Sequence, residues 1–139
     1  MLLISWEKRY LIGIGEIDET RRHLVDLLNE IYTGFVNKRP NSYFMEILEE
    51  LIDSGQHLFL MEESLMSECC YPDIESHRAC HDKFINRLEE IQDSFVRCNR
   101  NFSLELLTCL RRWLLEHIFE IDVKLGDFIT TERNQNRVS

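Results

Sequence analysis

Glycine and proline are scarce, 5 and 2 in 139 residues. That leaves little turn punctuation for an all-β fold and long stretches free to form helices. Positive charge is also short: 16 Lys and Arg against 25 Asp and Glu, for a net charge of −9. A nucleic-acid binder needs a basic footprint, and anionic lipid attracts one, so neither partner is expected. No apolar run is long enough to span a bilayer. The opening segment from Met1 to Arg9 lacks a basic n-region and a small-residue cleavage site, so it does not read as a signal peptide. The five cysteines form no Cys-x-x-Cys pair, which removes zinc-ribbon and thioredoxin-like sites. An odd count without a secretion signal reads as free thiols in a reducing cytoplasm. Repeats and low-complexity segments are absent.

What the chain does have is apolar residues, 44% of the total, in helical rhythm. Ile17, Arg21, Leu24, Leu28, Ile31 and Phe35 form one stripe. Phe44, Leu48, Leu51, Gly55, Leu58, Glu62 and Leu65 form a second, and Ile74, His77, His81, Phe84, Leu88, Ile91 and Phe95 a third. Leu106, Leu110, Trp113, His117 and Ile121 form a fourth. Steps of three and four put each set on one inward face. The pattern predicts one domain over 1–139, with helices at about residues 18–37, 42–69, 73–98 and 103–129. Short links at 37–41, around Pro72 and at 99–101 make neighbours antiparallel, so the fold class is an all-α, up-down-up-down four-helix bundle. Asn41 or Ser42 is the expected N-cap of the second helix. Tyr10 to Gly15 reads as an N-terminal arm along the bundle, and the polar tail from Thr130 is expected to fray.

Five polar residues break the stripes: Arg21, Glu62, His77, His81 and His117. A buried polar group costs roughly 1–3 kcal/mol unless paired. One inward histidine is ordinary. Five such groups from four helices are hard to explain as packing. His77 and His81, four apart, project from one helix face and suit two ligands on one metal. His117 supplies a third nitrogen from the fourth helix, and Glu62 an oxygen from the second. Imidazoles with a carboxylate suit iron or zinc better than manganese or magnesium. Ferritin-like bundles use Glu-x-x-His, and no Glu here has a His three residues later. No nucleophile–base pair is visible, so enzyme activity is not expected.

At this point the residues resemble the bacterial hemerythrin family. The match runs from Trp6 to Asp122 through Trp6…Tyr10…Gly13, Ile17-Asp18, Glu62-Glu63-Ser64-Leu65-Met66, Tyr71-Pro72, His77-x-x-x-His81-x-x-Phe84 and Trp113-Leu114-x-x-His117-Ile118-x-x-x-Asp122. The resemblance implies a site of two irons, five histidines and two bridging carboxylates, with O2 bound reversibly at one iron. His77, His81 and His117 match the three-histidine iron, and Glu62 and Asp122 match the bridging carboxylates. Asp122 follows His117 by five residues, about 140° around an ideal helix, so its assignment rests on the resemblance or on a local widening of the helix.

Two positions depart from the family pattern. Arg21 stands where the first-helix histidine is expected, and Leu58 where the second-helix histidine is expected. His57 and His23 are nearby but out of phase, by about 100° and 200°. Arg21 supplies a fixed cation suited to a carboxylate, and Leu58 fills volume. The resulting expectation is a degenerate site with one metal per chain, iron first, with two irons or zinc left open. Ordinary reversible O2 carriage is not expected, and sensing of O2 or another small diatomic ligand is. The alternatives are a diiron O2 binder that recruits His57 or His23, and a metal-free signalling or scaffold bundle. The protein partner and oligomeric state are not legible.

Overall fold

A computed structural model describes residues 2–98 and 102–138, leaving aside the side chains of Cys98, His117 and residues 133–138. The expected link at 99–101 lies outside the described residues. A short 3-10 turn (Lys8–Tyr10) precedes α1 (Gly15–Val36), α2 (Asn41–Glu68) and α3 (Ile74–Cys98). The fourth helix is continuous but not uniform. α4 (Leu104–Arg112) passes into a π-helical segment (Trp113–Phe119) and then into α5 (Glu120–Val138). No strand occurs among the described residues. α1 packs on α2, α2 on α3, and α3 on the π segment, giving the antiparallel four-helix bundle that the apolar stripes predict.

The helix ends differ from expectation in instructive ways. Asn41 is the first helical residue of α2, and extended Pro40 precedes it without a side-chain cap. Neither Asn41 nor Ser42 is therefore the N-cap. Ser103 does cap α4, accepting a hydrogen bond from the Leu106 N–H at 3.1 Å. α1 and α2 end on left-handed residues that are not glycine, Lys38 and Cys70. Each is followed by an amide that closes back on the helix, Arg39 N–H on the Gly34 carbonyl and Tyr71 N–H on the Met66 carbonyl, both at 2.9 Å. The last helix extends beyond its expected end at residue 129: no Gly or Pro interrupts the stretch from Thr130, and α5 runs to Val138.

Burial on the fourth helix also corrects the expected stripe. Leu107, Leu110, Leu114 and Ile118 are buried, followed by Asp122, Leu125 and Ile129. Leu106, Trp113 and Ile121 are only half-buried. A π turn takes up about one extra residue per turn, so the inward face shifts phase by roughly one position as the chain passes Trp113–Phe119. That shift brings Asp122 into the core.

The core has two ends. At one, Phe44, Phe95 and Phe102 meet edge to face. Between them and the polar end lie fully buried Leu24, Leu28, Leu48, Leu51, Leu58 and Leu88. The other end holds the start of α1, the end of α2, the start of α3 and α5, and it is capped by the arm. The Asn29 side chain clamps Ile4 by accepting from its N–H and donating to its C=O, both at 2.9 Å. Asp18 accepts from the Ile12 N–H at 2.8 Å and the Gly13 N–H at 3.0 Å. Gly13 takes a positive φ of 88°, which a side chain would strain.

The arm lies so close to α5 that a Cβ on Gly126 would sit 2.9 Å from Ile12 Cβ and 3.3 Å from its backbone. Gly126→Ala is therefore expected to lift the arm and cost about 1–3 kcal/mol, as overpacking does. Chemical denaturation, with protease sensitivity of the first 14 residues as a local probe, measures this. Unchanged stability with an uncut arm counts against the close contact.

Candidate metal centre

Five charged or titratable groups from four helices converge at the arm-capped end of the core. Arg21 comes from α1, Glu62 from α2, His77 and His81 from α3, and Asp122 from α5. None is more than 2% exposed. One donor atom from each of Glu62, His77, His81 and Asp122 lies within 4.8 Å of the others. His77 Nε2 is 3.1 Å from Asp122 Oδ1 and 3.8 Å from Glu62 Oε2. His81 Nε2 is 3.0 Å from Glu62 Oε2.

These distances are not all hydrogen bonds. Both Glu62 oxygens, His77 Nδ1 and His81 Nε2 are buried without an aligned hydrogen-bond partner. A buried carboxylate facing a ring nitrogen without a shared proton is costly. A cation among these atoms relieves that cost, and the mixed nitrogen and oxygen donor set suits iron or zinc. The residues present therefore fit a metal.

Arg21 occupies the space beside the cluster. Its Nε donates to Asp122 Oδ2 at 3.0 Å, and Nη1 donates to the Tyr10 carbonyl and lies 3.4 Å from Asp18 Oδ1. Its guanidinium carbon stands 4.2 Å from the centre of the Phe119 ring. Asp122 is thus divided, one oxygen toward Arg21 and the other toward His77. Of the two carboxylates that match the family's bridging pair, Asp122 meets Arg21, and Glu62 faces the histidines instead. Leu58 is fully buried and apolar.

Electrostatics separates the two histidines. Burial lowers the pKa of His77, but the hydrogen bond with Asp122 and the nearby Asp122 and Glu62 carboxyl groups outweigh it and raise the ring to about 9. Burial, reinforced by the His77 charge, lowers His81 to about 4. Burial and the nearby Glu62 carboxylate push Asp122 up to about 7, against the pull of His77 and Arg21. Arg21 and His77 are thus the two basic groups that face the acidic side chains of the cluster.

His57 is exposed, and His23 lies at the surface with Nε2 3.1 Å from Glu50. Neither joins the cluster. The side chain of His117 lies outside the described residues; its backbone is in the π segment. Sequence reasoning missed several contributors. Asp18 was read only as a helix start, although it sits one turn before Arg21. Glu63 approaches His81, and Phe59 stacks on that ring at 3.8 Å. The Tyr10 carbonyl and the Phe119 ring left no signal in the residue pattern.

A buried histidine–carboxylate cluster in the core of an antiparallel four-helix bundle defines a metal-binding bundle protein. The Hemerythrin HHE cation binding domain matches residues 12–129. A bacteriohemerythrin of Stenotrophomonas maltophilia is 32% identical over 135 residues, covering 97% of this chain and 87% of the relative. One from Pseudomonas aeruginosa is 29% identical, covering 93% of this chain and 83% of the relative. A wild-type hemerythrin crystal structure superposes with a TM-score of 0.78 at 25% identity, covering 90% of this chain and 96% of that one. The chain belongs to the hemerythrin family and carries its metal-binding domain.

Arg21→Ala strips Asp122 and Asp18 of their cation. The metal-free protein is expected to lose about 3–5 kcal/mol, the usual consequence of breaking a buried pair from one side. Denaturant titration at neutral pH measures the loss. A change under about 0.5 kcal/mol, typical of surface substitutions, contradicts the burial of this pair.

Proposed function

We propose that the chain holds one metal ion, iron, and acts as a non-catalytic cytoplasmic sensor of O2 or a related diatomic ligand rather than an ordinary reversible O2 carrier. The whole of 1–139 forms the one domain. His77, His81 and His117 serve as nitrogen ligands, with Glu62 and Asp122 as oxygen ligands. His117 takes this role from the family pattern. The observation that carries the one-metal reading is the fully buried Arg21, whose Nε lies 3.0 Å from Asp122. A permanent cation at that distance occupies the charge and space a second metal needs, and Leu58 offers no ligand atom there. Iron supplies an open coordination position for a small ligand when bound. The chain's own groups fix the donors, exclude water and hold Asp122 partly turned toward Arg21.

Metal analysis of protein purified without chelator is expected to give about one iron per chain. Replacing Arg21 and Leu58 together by His restores the family's five-histidine pattern, and iron content is then expected to approach two. Each single replacement is expected to gain less, because one retains the cation and the other lacks a nitrogen. Two irons in the wild-type protein overturn the one-metal reading.

Proton competition gives an independent check. His77 must be neutral to bind a metal, and in the metal-free chain it titrates near 9. Below that pH each bound metal displaces a proton from the ring. Affinity is expected to rise with pH until about 9 and then level off, by up to about tenfold per unit for the His77 proton and more steeply below about 7, where the Asp122 carboxyl also gives up a proton. Calorimetric titration with Zn2+ in buffers of differing ionisation enthalpy measures the released proton. A flat affinity between pH 6 and 8 removes His77 from the ligand set.

A further inference from the structure

His81 is held from every side. Phe59 stacks on its face, with ring centres 3.8 Å apart and planes within 6°. The His77 ring meets it edge-on at 4.5 Å. Nε2 points to Glu62 at 3.0 Å without hydrogen-bond alignment. Nδ1 points the other way, to Glu63 Oε2 at 3.4 Å. Glu63 is in turn fixed by Arg78, whose Nε donates to Glu63 Oε1 at 3.1 Å. Arg78 also reaches Glu75 at 3.5 Å, one turn before it on the same helix.

A neutral imidazole carries one proton, and the hydrogen bond at one nitrogen decides what the other can do. Both flanking carboxylates can only accept, and of the two contacts the one with Glu63 is aligned as a hydrogen bond while the shorter one with Glu62 is not, so the proton belongs on Nδ1. Nε2 then keeps its lone pair, aimed at the Glu62 oxygens. His77 is built differently. Its Nε2 is engaged with Asp122, and its Nδ1 has no partner. The two histidines of one helix therefore stand in different states of readiness: His77 must give up a hydrogen bond to ligate, and His81 need not.

We propose that Glu63, braced by Arg78, is a positioning residue that presets His81 in its Nδ1-protonated form, making His81 the standing ligand on which the metal first lands. The inference rests on the metal-centre reading above and adds a residue outside the ligand set. Glu63 also serves as a negative charge behind the ring, raising the donor strength of Nε2. Phe59 contributes the plane of the ring and Glu63 its rotation within that plane. The side chain of Glu63 is 27% exposed, so replacing it leaves the core intact.

Three variants separate this role from a surface ion pair. Glu63→Ala removes the acceptor, Glu63→Gln keeps a neutral one, and Arg78→Ala removes only the brace. Long-range proton–nitrogen NMR of the metal-free chain reads the tautomer of each ring. His81 is expected to be protonated at Nδ1 in wild type and in Glu63→Gln, and to move toward Nε2 in Glu63→Ala. Calorimetry with Zn2+ alone is expected to show a 10–100-fold weaker affinity for Glu63→Ala, with Glu63→Gln in between and Arg78→Ala nearer to wild type. If Glu63→Ala leaves both the His81 tautomer and the Zn2+ affinity unchanged, Glu63 is no more than a surface partner of Arg78 and the inference fails. A wild-type chain that takes up neither Zn2+ nor iron overturns the metal-centre reading instead, and the tautomer comparison still decides whether Glu63 sets the ring.

Discussion

A buried cation in contact with a buried carboxylate organises this end of the bundle. Arg21 and Asp122 lie on the first and last helices, 101 residues apart in sequence, and meet at 3.0 Å with no exposure on either side. Neither could be buried alone, since an unpaired charge in a low-dielectric interior costs several kcal/mol. The pair fixes which face of α1 looks at α5. It also sets the orientation of Asp122, and through Asp122 the ring of His77. The arm follows from the same guanidinium, because the Tyr10 carbonyl and Asp18 take donors that Asp122 leaves free.

The site is asymmetric as a result. On the Arg21 side Asp18 and Asp122 face a fixed charge that stands over the Phe119 ring. On the α3 side buried donors without aligned partners face one another.

Much of this was legible in the sequence, for reasons that can be named. Steps of three and four in the apolar residues mark the inward face of each helix, so Arg21, Glu62, His77 and His81 stand out as core polar groups before any fold is known. The ends of the helices were less legible. Lys38 and Cys70 take left-handed conformations that glycine usually signals, and neither residue type gives that signal. Asp122 was out of reach of periodicity because the seven-residue π segment shifts the phase of the fourth helix; only the family resemblance carried it. The approach of Glu63 to His81 was hidden for another reason. Glu63 lies off the inward stripe and reaches the site from outside, along the edge of the His81 ring.

The arm is tied down in an unequal way. Ile4, Ile12 and Gly13 offer main-chain N–H groups, and Leu3, Ile4 and Tyr10 offer main-chain carbonyls. The matching groups are side chains of the bundle: Asn29, Asp18, Arg21 and Arg111. The path of the arm is thus written in the helices that receive its main chain as well as in its own buried side chains, Ile4, Tyr10 and Ile12. Over evolutionary time residues 3–12 are free to drift in identity wherever their side chains face solvent. The route depends on the four receiving side chains together with the apolar positions that the arm buries, so only its solvent-facing positions carry no constraint.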